Sequence, residues 1–174
     1  MQSVADHLVH RHLDLNLHKP VVNEAERTAT FYLWNMSGQL VGYQQYKPEG
    51  DKKTPNDPKD GKYYTYRRKD TFGVWGLESL YLNNKTVFVT EGVFDACRLT
   101  KFGATALAVL CNNPSSDLWN WLSSLNRNVV TVCDNNNAGR KLAKFGHKSV
   151  FTEDLDLGDS SELYVKELLM RYNK

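Results

Sequence analysis

Two acidic residues stand where apolar runs stop. "KTVFVTEG" ends on Glu91 before Gly92, and "NVVTVCD" ends on Asp134. A third run, "KSVFTED", leads toward Glu153, Asp154, Asp156 and Asp159. Carboxylates on neighbouring strand tips would repel one another, and a shared cation is the simplest remedy. Hard oxygen donors with room for water and phosphate suit Mg2+ or Mn2+. A cation held there would polarise a phosphoryl oxygen and orient an attacking hydroxyl. Glu91 and Asp134 are therefore the candidate catalytic residues and metal ligands. Arg140 and Lys141, in "AGRKLA", are the candidates to face phosphate near a helix start. A plainer role is open for the corner "DNNNAG": Asp134 and Asn135 to Asn137 would cap the helix that follows.

A second group of residues carries the opposite charge. Between Lys47 and Lys69 there are eight Lys or Arg against four acids, interleaved with Tyr63, Tyr64 and Tyr66. Such a segment attracts phosphate, and Lys62, Arg67, Arg68 and Lys69 are the candidates to hold a nucleic-acid backbone. It also suits a solvated hairpin loop. The net charge of the whole chain is only +2, so there is no general basic signature.

These residues need elements to position them. The chain has 174 residues, 41% hydrophobic and 11% aromatic, enough for one domain or two small lobes with real cores. No apolar run approaches the ~20 residues of a membrane helix, and "MQSVADHLVHRH" is not a signal peptide. A cytoplasmic protein with no membrane partner is expected. Cys97, Cys111 and Cys133 are scattered, which predicts reduced packed thiols rather than a zinc site. His7, His10 and His12 have no metal-ligand spacing and are expected to be exposed. Trp119 and Trp121 are expected to pack.

Residues from about 4 to 13 suit a short amphipathic helix. "TATFYLWNM" and "QLVGYQQYKP" read as strands joined at Ser37-Gly38, with Phe31 and Leu33 on one face and Tyr32 and Trp34 on the other. Residues 49 to 62, with Gly50, Pro55, Pro58 and Gly61, form a loop, and "KYYTYRR" a third strand. Residues 1–80 thus predict a small antiparallel lobe with a basic loop. Residues 81–174 change rhythm. Apolar strands alternate with the helices "VFDACRLTKFG", "PSSDLWNWLSSL", "AGRKLAKFG" and "SSELYVKELLMRY". That pattern predicts an α/β fold with a parallel sheet covered on both faces, and ligands at the carboxyl ends of its strands.

"VFVTEGVFDA", then "VTVCDNNNAGRKLA", then "GDSSEL" resembles the Toprim family, the catalytic fold of bacterial-type primases, topoisomerases and some nucleases. The likeness covers roughly residues 85–169. The preceding hairpin, "KYYTY" and "GVWGLESL" follow the order of the smaller lobe of primases, bacteriophage primases above all. The resemblance implies a Toprim-like parallel sheet preceded by a small α+β lobe. It implies that Glu91 is a metal ligand or general acid/base, and that Asp134 is the first aspartate of the second motif. Asn136 stands where the family has a second aspartate, and it would offer one uncharged carbonyl oxygen to a more weakly held cation. Asp159 is the choice for the third acidic ligand, with Asp156 as the competing alignment. Asp159 with Glu162 fits a helix capping box equally. Asp95 matches an aspartate common after Glu-Gly in primases and would bond the local turn.

The activity so implied is that of a DNA primase in DNA replication: a nucleotidyltransferase making RNA primers on single-stranded DNA from nucleotide triphosphates. The same carboxylates would also serve a metal-dependent nuclease. The neutral Asn136 and the short chain suit a third role, a non-catalytic nucleic-acid- or protein-binding accessory factor. No cysteine cluster of a zinc module is present. A zinc-module or helicase partner is therefore expected to help with template recognition.

Overall fold

The computed structural model describes residues 1–53, 56–153 and 156–174, so Pro55 and Asp154 lie outside the described residues. It divides into two compact units, Met1–Trp75 and Gly76–Lys174.

The first unit begins with α1 (Val4–His10), whose start is held by its own N-cap and by a distant acid. The Ser3 hydroxyl accepts from Asp6 N–H (3.0 Å), and Glu24 accepts from Val4 N–H (2.9 Å). A one-turn helix, α2 (Leu15–His18), follows. Four strands then form an antiparallel sheet in chain order: β1 (Val21–Asn23), β2 (Thr28–Trp34), β3 (Leu40–Tyr46) and β4 (Tyr63–Arg67). Alternation splits β2 as its sequence predicts. Ala29, Phe31 and Leu33 are buried with Tyr46, Val4 and Leu8, while Tyr32 and Trp34 point the other way and stay partly exposed. The register carries that outer face across the sheet. Tyr32 faces Tyr43, which faces Tyr66, and Thr30 faces Gln45, which faces Tyr64. The pair Trp34 and Leu40 continues it beyond a bulge. At Gly42 the backbones of β3 and β4 come so close that a Cβ would lie 2.3 Å from the Tyr66 carbonyl oxygen.

His7 and His12, expected to be exposed, are only partly so, and two histidines have aromatic partners. His7 hydrogen-bonds the Tyr46 hydroxyl (2.8 Å) and stacks on its ring. His18 is buried against Trp75, with ring centroids 4.4 Å apart. Each finds an aromatic partner far away in sequence, which spacing along one helix cannot reveal.

The second unit opens with a 3-10 segment, Leu77–Leu82. Its Ser79 hydroxyl donates to the Ala106 carbonyl (2.9 Å) and accepts from Ala106 N–H (3.1 Å). That exchange moves the expected boundary at residue 80 back to Trp75/Gly76, because the segment packs on the second sheet. The sheet is parallel, in the order β6-β5-β7-β8: β5 (Thr86–Thr90), β6 (Thr105–Ala108), β7 (Asn128–Cys133) and β8 (Lys148–Phe151). β5 and β6 are buried throughout and β8 is the exposed edge, as expected of a sheet with covered faces. The helices are α3 (Val93–Thr100), α4 (Ser116–Ser124), α5 (Asn137–Ala143) and α6 (Glu162–Tyr172). α4 starts at the N-cap Ser115, and α6 buries Val165, Leu168 and Leu169. Trp121 packs as expected, but Trp119, two positions away on α4, is 49% exposed. Among the described residues no cysteine forms a disulfide, and burial pushes the Cys133 thiol up to about 11, so it stays protonated and inert.

Candidate active site

The site lies at the carboxyl ends of β5 and β7, which hydrogen-bond to each other in parallel. Val89 pairs with Thr131, so the two strands leave the sheet side by side. Glu91 follows one tip and Asp134 the other, each partly buried. Among the described residues, neither carboxylate accepts a hydrogen bond or pairs with a cation. The strand-tip arrangement expected from sequence is thus present, with both acids on one rim.

Their electrostatics are those of crowded like charges. Burial raises the Glu91 pKa first, and the charges of Asp134 and Asp156 raise it further. Burial also raises Asp134, followed by the charge of Asp156. Asp95, in the first turn of α3, is pushed up to about 7. Burial is the main cause, the Gly158 N–H opposes it, and the charges of Asp134, Asp156 and Glu91 add to it.

Asp156 brings a third charge to this corner. It precedes a short 3-10 turn, Leu157–Asp159. Two side chains of α3 grip that turn. Asp95 accepts from Gly158 N–H (2.7 Å), and Arg98 donates to the Ser160 carbonyl (2.5 Å). Arg98 is buried, which lowers its pKa, against the charges of Glu162 and Asp159. Asp156 precedes this turn and Asp159 ends it. Asp95 also does more than bond its local turn, since its partner is 63 residues away. Arg98 was missed, although a lone cation inside the apolar run "VFDACRLT" was the signal for it.

Asn136 is the N-cap of α5, and its side-chain oxygen accepts from Gly139 N–H (2.9 Å). The capping role weighed from sequence is thus seen, and it uses one of the two lone pairs of that oxygen. Gly139 has its own reason. A Cβ there would lie 1.8 Å from the Asp134 carbonyl oxygen, so only glycine lets α5 start this close to the strand tip. Arg140 and Lys141 lie exposed on α5, and Arg140 reaches the Asn137 side chain (3.4 Å).

The basic segment is partly occupied. Lys62 donates to the Pro48 carbonyl (2.8 Å), and Arg67 donates to the Gly73 carbonyl (2.9 Å) and sits over the Phe72 ring. Arg68 and Lys69 are exposed.

The donors present fit a divalent cation: partly exposed carboxylates with raised pKa values and, among the described residues, no ion pair to a cation. Among the described residues, no three His, Cys, Asp or Glu side chains already converge on one point. The rim could thus supply only part of a coordination shell, as is usual for Mg2+ that keeps water and substrate phosphate as ligands.

No family model matches the chain, and no curated protein matches it in sequence. Solved structures do match. The Aquifex aeolicus primase, with zinc-binding and RNA polymerase domains, is 21% identical over 90% of this chain and 44% of its own, with a TM-score of 0.63. The DnaG primase catalytic domain bound to ssDNA is 21% identical over 92% of this chain and 56% of its own, TM-score 0.58. The primase fragment of the bacteriophage T7 primase-helicase protein is 12% identical over 83% and 62%, TM-score 0.56. The chain therefore has the fold of primase catalytic cores, and it spans about half the length of the first two structures.

Proposed function

We propose that this protein is a primase-like nucleotidyltransferase that makes RNA primers on single-stranded DNA with Mg2+ or Mn2+. The observation that carries this reading is the pairing of β5 with β7, which sets Glu91 and Asp134 on one rim of a primase-core fold. Asp134 and Asp156 would hold the cation as carboxylates. When bound, the cation would neutralise phosphate charge and polarise a phosphoryl oxygen. Glu91 suits a proton acceptor for the attacking 3′ hydroxyl, because its raised pKa lies nearer the working pH than that of an ordinary glutamate. Asp95 would keep Asp156 in place through Gly158. Arg140 and Lys141, on the helix that follows Asp134, would meet the triphosphate. The same reading gives a cytoplasmic replication protein, bacteriophage-encoded, with a zinc-module or helicase partner. Among the described residues, no helix is long and apolar enough to cross a membrane.

One observation favours a rival. Asn136 is neutral and already engaged as a cap, which suits a core that has lost activity and binds nucleic acid or protein. Primer synthesis on single-stranded DNA with Mn2+ decides. Glu91→Ala should lower the rate by roughly 10²–10⁴-fold, the usual contribution of a general base. Shortening of labelled DNA instead of primer extension would assign a nuclease. No turnover of either kind, with DNA binding indifferent to chelator, would assign the binding role.

A further inference from the structure

The outer face of the first sheet is unusual for a surface open to water. Solvent-facing positions of an antiparallel sheet are ordinarily polar or charged. Here the two cross-strand rows and the Trp34–Leu40 pair contain no Asp, Glu, Lys or Arg. They hold Tyr32, Trp34, Tyr43, Tyr64 and Tyr66, none of which is buried. The rings are neighbours. Tyr32 meets Trp34 edge-on at 6.1 Å between centroids, and Tyr43 lies 6.3 Å from Tyr64 and 5.6 Å from Tyr66. None of the four tyrosine hydroxyls bonds to another group among the described residues. These aromatic groups are therefore on offer rather than part of the core.

The border of this face carries positive charge. From Lys62 to Lys69 the chain has four cations, three tyrosines and no acid. Arg68 and Lys69, both exposed, come directly after the last residue of β4. An apolar aromatic plane beside cations complements one ligand chemistry well: flat apolar rings strung along an anionic backbone. Bases of a single strand stack on sheet aromatics while their phosphates meet Lys and Arg. Duplex DNA keeps its bases stacked internally and cannot offer them.

We infer that Tyr32, Trp34, Tyr43, Tyr64 and Tyr66 form a stacking platform for two or three bases of a single-stranded nucleic acid. Arg68 and Lys69 hold its phosphates. This deepens the proposed primer synthesis by seating the template, and it rests on that reading only for the choice of DNA over RNA. It also shifts the nucleic-acid contact away from Lys62 and Arg67, which are engaged with main-chain carbonyls.

The test uses the full chain, a fluorescent single-stranded oligodeoxythymidine and its oligouridine counterpart, with anisotropy read in chelator and without nucleotides. Failure of catalysis therefore cannot be mistaken for failure of binding. Tyr43→Ala and Tyr66→Ala should each weaken binding by roughly five- to a hundred-fold, the range for loss of one base–aromatic stack, with the salt slope unchanged. Tyr66→Phe should retain the affinity, because stacking needs the ring and not the hydroxyl. The pair Arg68→Ala and Lys69→Ala should lower the salt slope by about two. Thermal melting checks that each variant is folded. Wild-type affinity in both folded tyrosine→Ala variants would overturn the platform, and so would equal affinity for duplex DNA. Failure of both oligonucleotides to bind the wild-type chain would also overturn it and would leave this face to a protein partner.

Discussion

Asp95 is the residue at which pH should be felt most. Its carboxyl moves from an ordinary value of 3.8 to about 7 in the folded protein. Between those values the folded state holds a proton that the unfolded state has released. Stability therefore falls as pH rises through that window, and the penalty is complete above about 7. Asp95→Asn keeps an acceptor for Gly158 N–H but carries no charge. In chelator, the melting temperature of this variant should fall less steeply from about pH 4 to 7 than that of wild type. Parallel profiles would show that Asp95 is not the source. Asn136 makes a second residue-scale prediction. Asn136→Ala loses the α5 cap and should cost ~1 kcal/mol in a denaturant titration. Asn136→Asp keeps an oxygen for the cap and adds charge beside Asp134, so it should tighten Mn2+ binding in calorimetry. An unchanged or weaker affinity would place position 136 away from the cation.

The strand-to-helix joint after β7 is the element on which the site depends. α5 begins so close to Asp134 that Gly139 has no room for a side chain. Gly139→Ala should therefore destabilise the fold by ~1–3 kcal/mol or more, as overpacking does, and move Asp134 as it relaxes. The urea midpoint measures the first effect and primer synthesis the second. A variant with wild-type stability would contradict the close approach. The corresponding element in the first unit is the β3–β4 pair at Gly42. The strands and helices themselves were largely legible in sequence. Period-two alternation marked β2, and continuous apolar runs marked β5 and β7. The short elements β1 and α2 were not legible, since three or four residues carry too little pattern and are held by tertiary contacts.

Across the whole molecule, two compact units with separate cores divide the chemistry. The acidic rim belongs to Gly76–Lys174, where Thr86 at the start of β5 also donates to the carbonyl of Lys174 (3.0 Å). The aromatic face belongs to Met1–Trp75. Residues 76–174 produced alone should melt as a single cooperative transition and bind Mn2+, with no affinity for oligodeoxythymidine. A gradual, non-cooperative melt would show that this unit cannot stand by itself.

The sequence alone determined the order of elements, the α/β class, and the two acids that end apolar runs, because hydrophobic periodicity and strand-end residues are local properties. It also carried the aromatic and basic composition of β4. Only the tertiary structure decided that β5 and β7 are neighbours, and hence that Glu91 and Asp134 share a rim. It also brought Asp95 and Arg98 to a distant turn next to Asp156, and it made Asn136 a helix cap. Those outcomes depend on which residues meet across long stretches of chain, and spacing along the chain does not record that.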